Sequence, residues 1–386
     1  MCSRERTVFL FSTHDISIAQ GTTEAHYVSR YFATIFDTSI IAPTSSEIEG
    51  ANHYSYSFSG LLGLLYINIL LLPQLVWLAY NEQPDIVYVY RNVILPPLLI
   101  KFFFGSTLVT DLRVHPVNQP KEFNDDTVVN QLFAIGAQAS HSVLLRFADV
   151  VITLSEPLRE SLVDSFPVSN EDIVIVPLGV DPNVFEVNER KQDDQFTIAY
   201  MGSIKPHRGI ELVIEALNEL PTRHQRAVTI ELFGPRVEHY VSDIEALADG
   251  GEYTVTWHGL IPHEAVPARV GQADCAVSPL PPHDGFEVSS PAKIYEYLAL
   301  GLPIVATDIT PHRRILSHEE DSLIVATDSP TEMASAIERL ILDESFRATL
   351  SANARAAGQD NSWETRINTI LDTIDEQTST DITKRV

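Results

Sequence analysis

The chain alternates short apolar runs with amphipathic stretches along nearly its whole length. Helical periodicity is clearest over 22–36 and 127–147. Runs of strand length occur at 7–14, 38–43, 85–92, 105–114, 149–155 and 172–180, and then again at 196–203, 227–235, 253–260, 274–280, 303–308 and 321–328. Strands that alternate with helices are typical of βαβ units, so the pattern predicts parallel sheets.

A polar stretch without apolar periodicity, 186–195, interrupts this alternation and is predicted to be a linker. The fold class that follows is α/β, with two facing, doubly wound parallel-sheet domains and an interdomain cleft. A length of 386 residues agrees with two domains. Since open parallel sheets bind ligands at the carboxyl ends of their strands, we expect one substrate on each side of the cleft.

Charge narrows the range of partners. Acidic residues number 52 against 26 basic ones, the formal net charge is −26, and only six residues are lysine. A phosphate backbone requires a basic surface, so nucleic acid is not expected as the main partner. The dispersed acidic surface is typical of a halophilic protein, for which salt screens self-repulsion.

Two features bear on location. The start of the chain, MCSRERTVFLFSTH, lacks the apolar core and cleavage site of a signal peptide, and the two cysteines, Cys2 and Cys275, form no disulfide framework. The expected location is therefore cytoplasmic. However, 61–80 is free of charge and 93–104 is also apolar. A buried helix, a helix in the lipid interface of the inner membrane face and a transmembrane span are the alternatives.

The segment SSPAKIYEYLALGLPIVATD, 289–308, predicts a helix followed by a buried strand. Ser290 is expected as the N-cap and Pro291 as the first helical residue, with Gly301 ending the helix. Lys293 and Glu296 lie three residues apart on one face. They either form a solvated ion pair or line a cleft, where the cation meets phosphate and the carboxylate accepts ribose hydroxyls.

The strand at 196–203 leads into GSIKPHRG, in which Gly202 and Ser203 open a turn and Lys205 and Arg208 follow before a helix. A glycine turn, cations and a helix N-terminus together favour an anion, although a surface turn with incidental basic residues is the alternative. HGLIPHEAV, 258–266, is expected near a planar base. Together these residues predict a nucleotide-diphosphate site.

Five segments in this order resemble the family 4-like glycosyltransferases (glycosyl transferases group 1), which have the GT-B fold of two Rossmann-like domains. They are RFADVVITLSEPLRESL, IVIVPLGVDPNVF, GSIKPHRGIELVIEAL, ADCAVSPL and KIYEYLALGLPIVATD. The resemblance implies an acceptor-binding domain at 1–185, a nucleotide-sugar-binding domain at 196–362, and a helix with a tail at 363–386 that returns toward the first domain. It also implies retaining sugar transfer to a glycan or lipid-linked acceptor.

Residue by residue, Glu296 matches the family glutamate that contacts ribose, and Arg208 matches a residue that holds donor phosphate. The first glutamate of the family's Glu-x7-Glu motif falls on Val288, so Glu287, one residue earlier, is the candidate to contact the sugar. Ser203 stands where many members have arginine. The segment is also similar to a subgroup whose donor loop is built around Ser289, Ser290 and Lys293.

In the first domain, Gly21 begins a helix after a loop that resembles the family's loop over the diphosphate. His115, in TDLRVHP, resembles the histidine that hydrogen-bonds the donor sugar, although a structural role is the alternative. Asp111 or Arg113 is expected to order the acceptor, and Arg91 ends another strand at the same edge. His14 is a weaker candidate.

In such a transfer, negative charge develops on the departing diphosphate, and Lys205, Arg208 and Lys293 would stabilise it. The chain contains no Asp-x-Asp sequence, so neither a metal nor a cofactor is predicted, and the nucleotide sugar is a substrate. A nucleotide-sugar epimerase and a non-catalytic partner subunit of the same fold are the alternative functions.

Overall fold

The computed structural model describes residues 6–13, 16, 23–43, 47–57, 60–90, 93–116, 128–186 and 195–385. Two compact units are present, one formed by 1–177 with 363–386 and the other by 178–362. Gly21, His14 and Arg91 lie outside the described residues, as does most of the predicted linker. The expected domain bounds, 1–185 and 196–362, stay predictions.

The first unit contains a seven-stranded sheet in which every pairing is parallel. In the order β3-β2-β1-β4-β5-β6-β7, its strands are β1 Thr7–Ser12, β2 Asp37–Ala42, β3 Ala51–Ser55, β4 Ile86–Tyr90, β5 Thr107–Asp111, β6 Val150–Thr153 and β7 Ile173–Ile175. Central strands such as β1 and β4 are buried along their whole length, which explains their continuous apolar sequences. The edge strand β3 is mostly exposed and was missed because its sequence, ANHYS, has no apolar run.

The helices of this unit cover both faces of the sheet. They span Thr23–Ile35, Gly60–Leu65, Leu72–Glu82, Leu95–Phe104, Val128–Phe147, Glu156–Ser165 and Trp363–Arg385, with a π-helical turn at Tyr66–Leu70 and a 3₁₀ turn at Asn170–Asp172. The terminal helix is anchored by Trp363, whose ring stacks on Tyr27 with the centroids 5.5 Å apart.

The charge-free stretch 61–80 forms a bent pair of helices. The break between them lies at Leu71. In the first member, the Asn68 amide nitrogen donates to Leu64 O, and its oxygen accepts from the backbone of Ile94 and Leu95 at the start of a later helix. Within the described ranges, no single helix has the length and apolar composition needed to cross a membrane. Leu62–Leu70 and Leu72–Glu82 meet these criteria only as a pair, which is bent by 52°.

The second unit contains a six-stranded parallel sheet that confirms every strand predicted after residue 195. In the order β10-β9-β8-β11-β12-β13, the strands are β8 Phe196–Met201, β9 Val228–Phe233, β10 Thr254–Gly259, β11 Cys275–Ser278, β12 Ile304–Thr307 and β13 Ser322–Val325. The direction of winding reverses between β8 and β11. A doubly wound sheet binds its ligand at such a point, outside the carboxyl ends of the strands.

Helices and short turns flank this sheet as well. They span Ile210–Glu219, Thr222–Gln225, Glu238–Ala248, His263–Ala265 (3₁₀), Val266–Val270, Asp284–Glu287, Ala292–Ala299, Thr310–Arg313, Pro330–Leu342 and Glu344–Asp360. The helix Ala292–Ala299 packs closely on Glu344–Asp360. A Cβ atom on Gly358 would lie 2.6 Å from Ala299 Cα, so only glycine permits this approach. The position of the helix that carries Lys293 and Glu296 is thereby fixed.

Candidate functional site

The turn after β8 lies at the point where the strand order reverses. Gly202 and Gly209 both adopt positive φ, 148° and 74°, and Gly209 immediately precedes the helix Ile210–Glu219. A Cβ atom on Gly209 would lie 1.8 Å from the carbonyl oxygen of Pro279, the residue that follows β11. Position 209 therefore requires glycine for two reasons: its backbone has a positive φ, and the segments that follow β8 and β11 are in close contact there.

Two cations meet this turn, and each faces an aromatic ring. The Lys293 ammonium lies 4.7 Å from the centre of the Tyr200 ring, and the Arg208 guanidinium lies 5.2 Å from that of Phe286. Burial, together with a smaller effect of the positive charge of Arg208, lowers the pKa of Lys293 to about 7. Arg208 and Lys293 thus both lie at the glycine turn, where aromatic rings rather than carboxylates face their positive charges.

Lys293 and Glu296 are not paired with each other, so a simple ion pair on the helix surface is the wrong interpretation. Glu296 is 9% exposed, and its Oε1 lies 3.3 Å from His263 Nε2. The hydroxyl of the next residue, Tyr297, accepts a 2.6 Å hydrogen bond from Met201 N. This bond joins the helix to the carboxyl end of β8, so that Lys293 and Glu296 both lie beside the glycine turn.

The loop that precedes this helix differs from the prediction at one residue. Pro291, not Ser290, is the N-cap, and the helix begins at Ala292. The Ser290 hydroxyl has other partners. It accepts from Leu178 N at 3.3 Å and lies 3.0 Å from the Tyr295 hydroxyl. Ser289 donates to Phe286 O at 2.6 Å. Both serines therefore shape the loop, and Gly301 ends the helix at a φ of 63°, as predicted.

Glu287 ends the short helix Asp284–Glu287, next to the phenylalanine that faces Arg208. Its backbone carbonyl accepts a 2.9 Å hydrogen bond from Arg314. Lys205 lies in the glycine turn and is partly exposed, as is Ser203, whose carbonyl accepts from the Tyr200 hydroxyl at 3.1 Å. The donor-site residues predicted in the second unit thus belong to the segments that follow β8 and β11.

A buried histidine beneath this region was not found from the sequence. His312 is fully buried, with Nδ1 2.7 Å from Thr307 O and Nε2 2.9 Å from the Ser278 hydroxyl. Burial, with a smaller contribution from the positive charge of Lys293, lowers the pKa of His312 to about 4. In the sequence PHRR it is indistinguishable from a surface residue. The neutral ring joins the ends of β11 and β12.

The candidates in the first unit have internal partners. His115 is 7% exposed, and its Nε2 lies 3.2 Å from the Ser165 hydroxyl. Arg113 donates to both carboxylate oxygens of Asp111, at 2.5 and 3.0 Å, and Tyr88 donates to the same carboxylate at 2.7 Å. Arg113 also donates to Val176 O. These contacts join the ends of β5 and β7, and the roles of His115, Asp111 and Arg113 toward substrates stay predictions.

Comparison with known proteins identifies a similar family. Residues 183–357 match the family described as glycosyl transferases group 1. An uncharacterised glycosyltransferase of Methanocaldococcus jannaschii is 26% identical over 219 residues, which cover 53% of this chain and 54% of the relative. The chain thus aligns with about half the length of this curated relative.

Solved structures share the fold over nearly the whole chain. A glycosyltransferase from Rickettsia africae superposes with a TM-score of 0.71 at 14% identity, covering 97% of this chain and 99% of its own. HepE of Anabaena, crystallised with UDP, gives a TM-score of 0.69 at 17% identity. The superposition covers 96% of this chain and 100% of HepE. The two parallel-sheet, Rossmann-like domains are those of the GT-B fold.

Proposed function

We propose that this chain is a group 1 glycosyltransferase, which transfers a sugar from a nucleotide-diphosphate donor to a glycan or lipid-linked acceptor with retention of the anomeric configuration. The observation that carries the proposal is the pair Arg208 and Lys293. Both cations meet a glycine turn at the reversal point of a doubly wound sheet, and neither forms an ion pair within 4 Å among the described residues. On a chain of net charge −26, two cations without a carboxylate partner favour the binding of an anion.

The proposed mechanism is stabilisation of the leaving group. As the bond to the anomeric carbon breaks, negative charge develops on the diphosphate, and Lys293, Arg208 and Lys205 would bind it. In surroundings poor in water, such interactions are stronger than in bulk solvent. Three cations supply this charge without a metal ion, so we propose a metal-independent reaction.

The nucleotide and the sugar have separate candidate contacts. Glu296 has the chemistry to accept hydrogen bonds from the vicinal ribose hydroxyls, and Glu287 is our candidate for the sugar hydroxyls. The structures of Anabaena HepE with UDP and with UDP-glucose make uridine nucleotides the first donors to test.

The acceptor side includes a surface suited to lipid. We define the apolar patch as the exposed large side chains on four helical segments of the first unit, each of which contacts at least one of the others. Its members are Leu62, Leu65, Ile69, Leu70, Trp77, Tyr80, Leu95, Phe102 and Phe103. Their exposure reaches 68% for Trp77 and 71% for Phe103. The stretch 61–80 carries no charge in a strongly acidic chain, so it can approach an anionic membrane without placing carboxylates there, and we propose that the patch binds the lipid surface.

Donor binding is tested by thermal shift with UDP-glucose, GDP-mannose and ADP-glucose in molar potassium chloride. We expect one donor to raise the unfolding temperature by mass action and Glu296→Gln to lose most of that shift. Glu338→Gln is the matched control, because Glu338 also pairs with a histidine, His224, at 2.8 Å, but in another part of the unit. No shift with any donor would reject the site.

Retention is tested by NMR, which reads the anomeric configuration of the transferred sugar in the product.

Membrane binding is tested by flotation with phosphatidylglycerol vesicles. Wild type is expected to float, whereas Trp77→Gln/Phe103→Gln remains at the bottom. Loss of a dimer in the variant, measured by sedimentation in the absence of lipid, would instead show that a second copy covers the patch.

A further inference from the structure

His263 begins the 3₁₀ turn His263–Ala265, which follows β10, and reaches the carboxylate of Glu296 from a different segment of the chain. The His263 and Glu296 side chains are only 18% and 12% exposed. The imidazole is held edge-on against the buried Phe185 ring, with the centroids 5.2 Å apart. Within the described part of the chain, the Nε2···Oε1 contact of 3.3 Å is the hydrogen bond made by the Glu296 side chain.

From this contact we infer that His263 is a positioning residue that orients the Glu296 carboxylate toward the two ribose hydroxyls of the donor. The inference rests on the proposed function. The packing of the helix Ala292–Ala299 determines where the glutamate backbone lies, but three rotatable bonds separate that backbone from the carboxylate. A hydrogen bond to Oε1 restricts this freedom and leaves Oε2 to accept from the ligand, so that less entropy is lost on binding.

The role requires a particular protonation at one atom. Because Glu296 Oε1 is an acceptor, His263 must carry hydrogen on Nε2 and donate it. Glutamine places an amide nitrogen close to the position of Nε2, so His263→Gln retains a donor, whereas His263→Ala does not. If the histidine acts through the carboxylate, its removal affects only the part of the affinity that comes from the ribose hydroxyls.

The test combines changes in the protein with changes in the ligand, and calorimetry measures the dissociation constant of each combination. UDP, GDP and ADP are titrated first, and the nucleotide that binds is compared with its 2′,3′-dideoxy form. We expect wild type to prefer the ribose form and His263→Ala to reduce that preference about fivefold, the effect of one ordinary hydrogen bond. His263→Gln should retain the preference. His224→Ala, which removes a histidine–glutamate pair elsewhere in the unit, should also retain it.

The preference is a ratio within one protein sample, so partial unfolding of a variant does not change it. An unchanged ratio in His263→Ala, with both nucleotides weakened equally, would show a purely structural role and overturn the inference. If wild type binds none of the three nucleotides, the donor site itself is wrong. These two failures are distinguishable, because the first requires binding and the second is its absence.

Discussion

Lys293 belongs to the helix Ala292–Ala299 and Tyr200 to the first strand of the second unit, yet the lysine nitrogen lies 4.7 Å from the centre of the tyrosine ring. The ring face attracts the cation, but it cannot replace the water that an ammonium group loses on burial. The amine therefore has a pKa of about 7. A diphosphate would supply the missing negative charge.

The first prediction concerns pH. Below pH 7 the Lys293 amine is charged and can bind phosphate. Above pH 7 the amine of the free protein is neutral, so it must take up a proton when the diphosphate binds. The dissociation constant of UDP-glucose should therefore rise with pH, about tenfold per unit well above 7. Calorimetry between pH 6 and 9 measures this, because the diphosphate of UDP-glucose does not titrate in that range. Lys293→Met should bind weakly with a flat profile. Parallel profiles for the two proteins would contradict the assignment.

The second prediction tests the glycine turn. Gly209→Ala must adopt a φ of 74° and place its Cβ against Pro279 O, whereas Gly250→Ala meets a φ of 87° with nothing within 4 Å. The positive φ should cost each variant about 1 kcal/mol, and the overlap should cost Gly209→Ala about 1–3 kcal/mol more. Thermal unfolding of both variants, together with donor titration, measures the difference. Equal unfolding temperatures would show that the turn is not closely packed.

The third prediction concerns acid stability. His312 is neutral when folded, with a pKa of about 4, while the unfolded residue binds a proton near pH 6.5. Stability should therefore fall as pH decreases from 6.5 to 4, by about 3 kcal/mol from this residue. His312→Asn keeps the donor to Thr307 O and should lose that part of the dependence, whereas the exposed control His239→Asn should not. Denaturant unfolding at several pH values provides the measurement, and equal slopes for wild type and His312→Asn would refute the prediction.

The fourth prediction concerns the buried pair Asp111–Arg113 in the first unit. Arg113→Met leaves a fully buried carboxylate without its cation and should cost about 3–5 kcal/mol. Adding Asp111→Leu should recover part of the loss, since an apolar pair avoids the uncompensated charge. Arg226→Met removes an exposed pair with Glu252 and should have no measurable effect. If the single and double variants unfold at the same denaturant concentration, the unpaired Asp111 carboxylate is not the cause of the lost stability.

The amino-acid sequence by itself determined the two-sheet α/β fold. Central parallel strands are covered on both faces, so they read as continuous apolar runs and can be recognised without any partner. The edge strand Ala51–Ser55 lacks that signal because its stability comes from pairing with β2. The glycines and cations after β8 were also found locally, since the turn and the following helix N-terminus are adjacent in the chain.

Tertiary structure alone decided which groups those residues face. The three-residue spacing of Lys293 and Glu296 predicts a shared face but does not distinguish a mutual ion pair from two separate environments. Only the packing of the helix brings Lys293 to Tyr200 and Glu296 to His263, and only the sheet buries His312. The local sequence pattern predicts the backbone conformation and the face of a helix or strand on which a residue lies. The pKa and hydrogen-bond partners of a side chain depend on groups that are distant in the chain and come into contact only after folding.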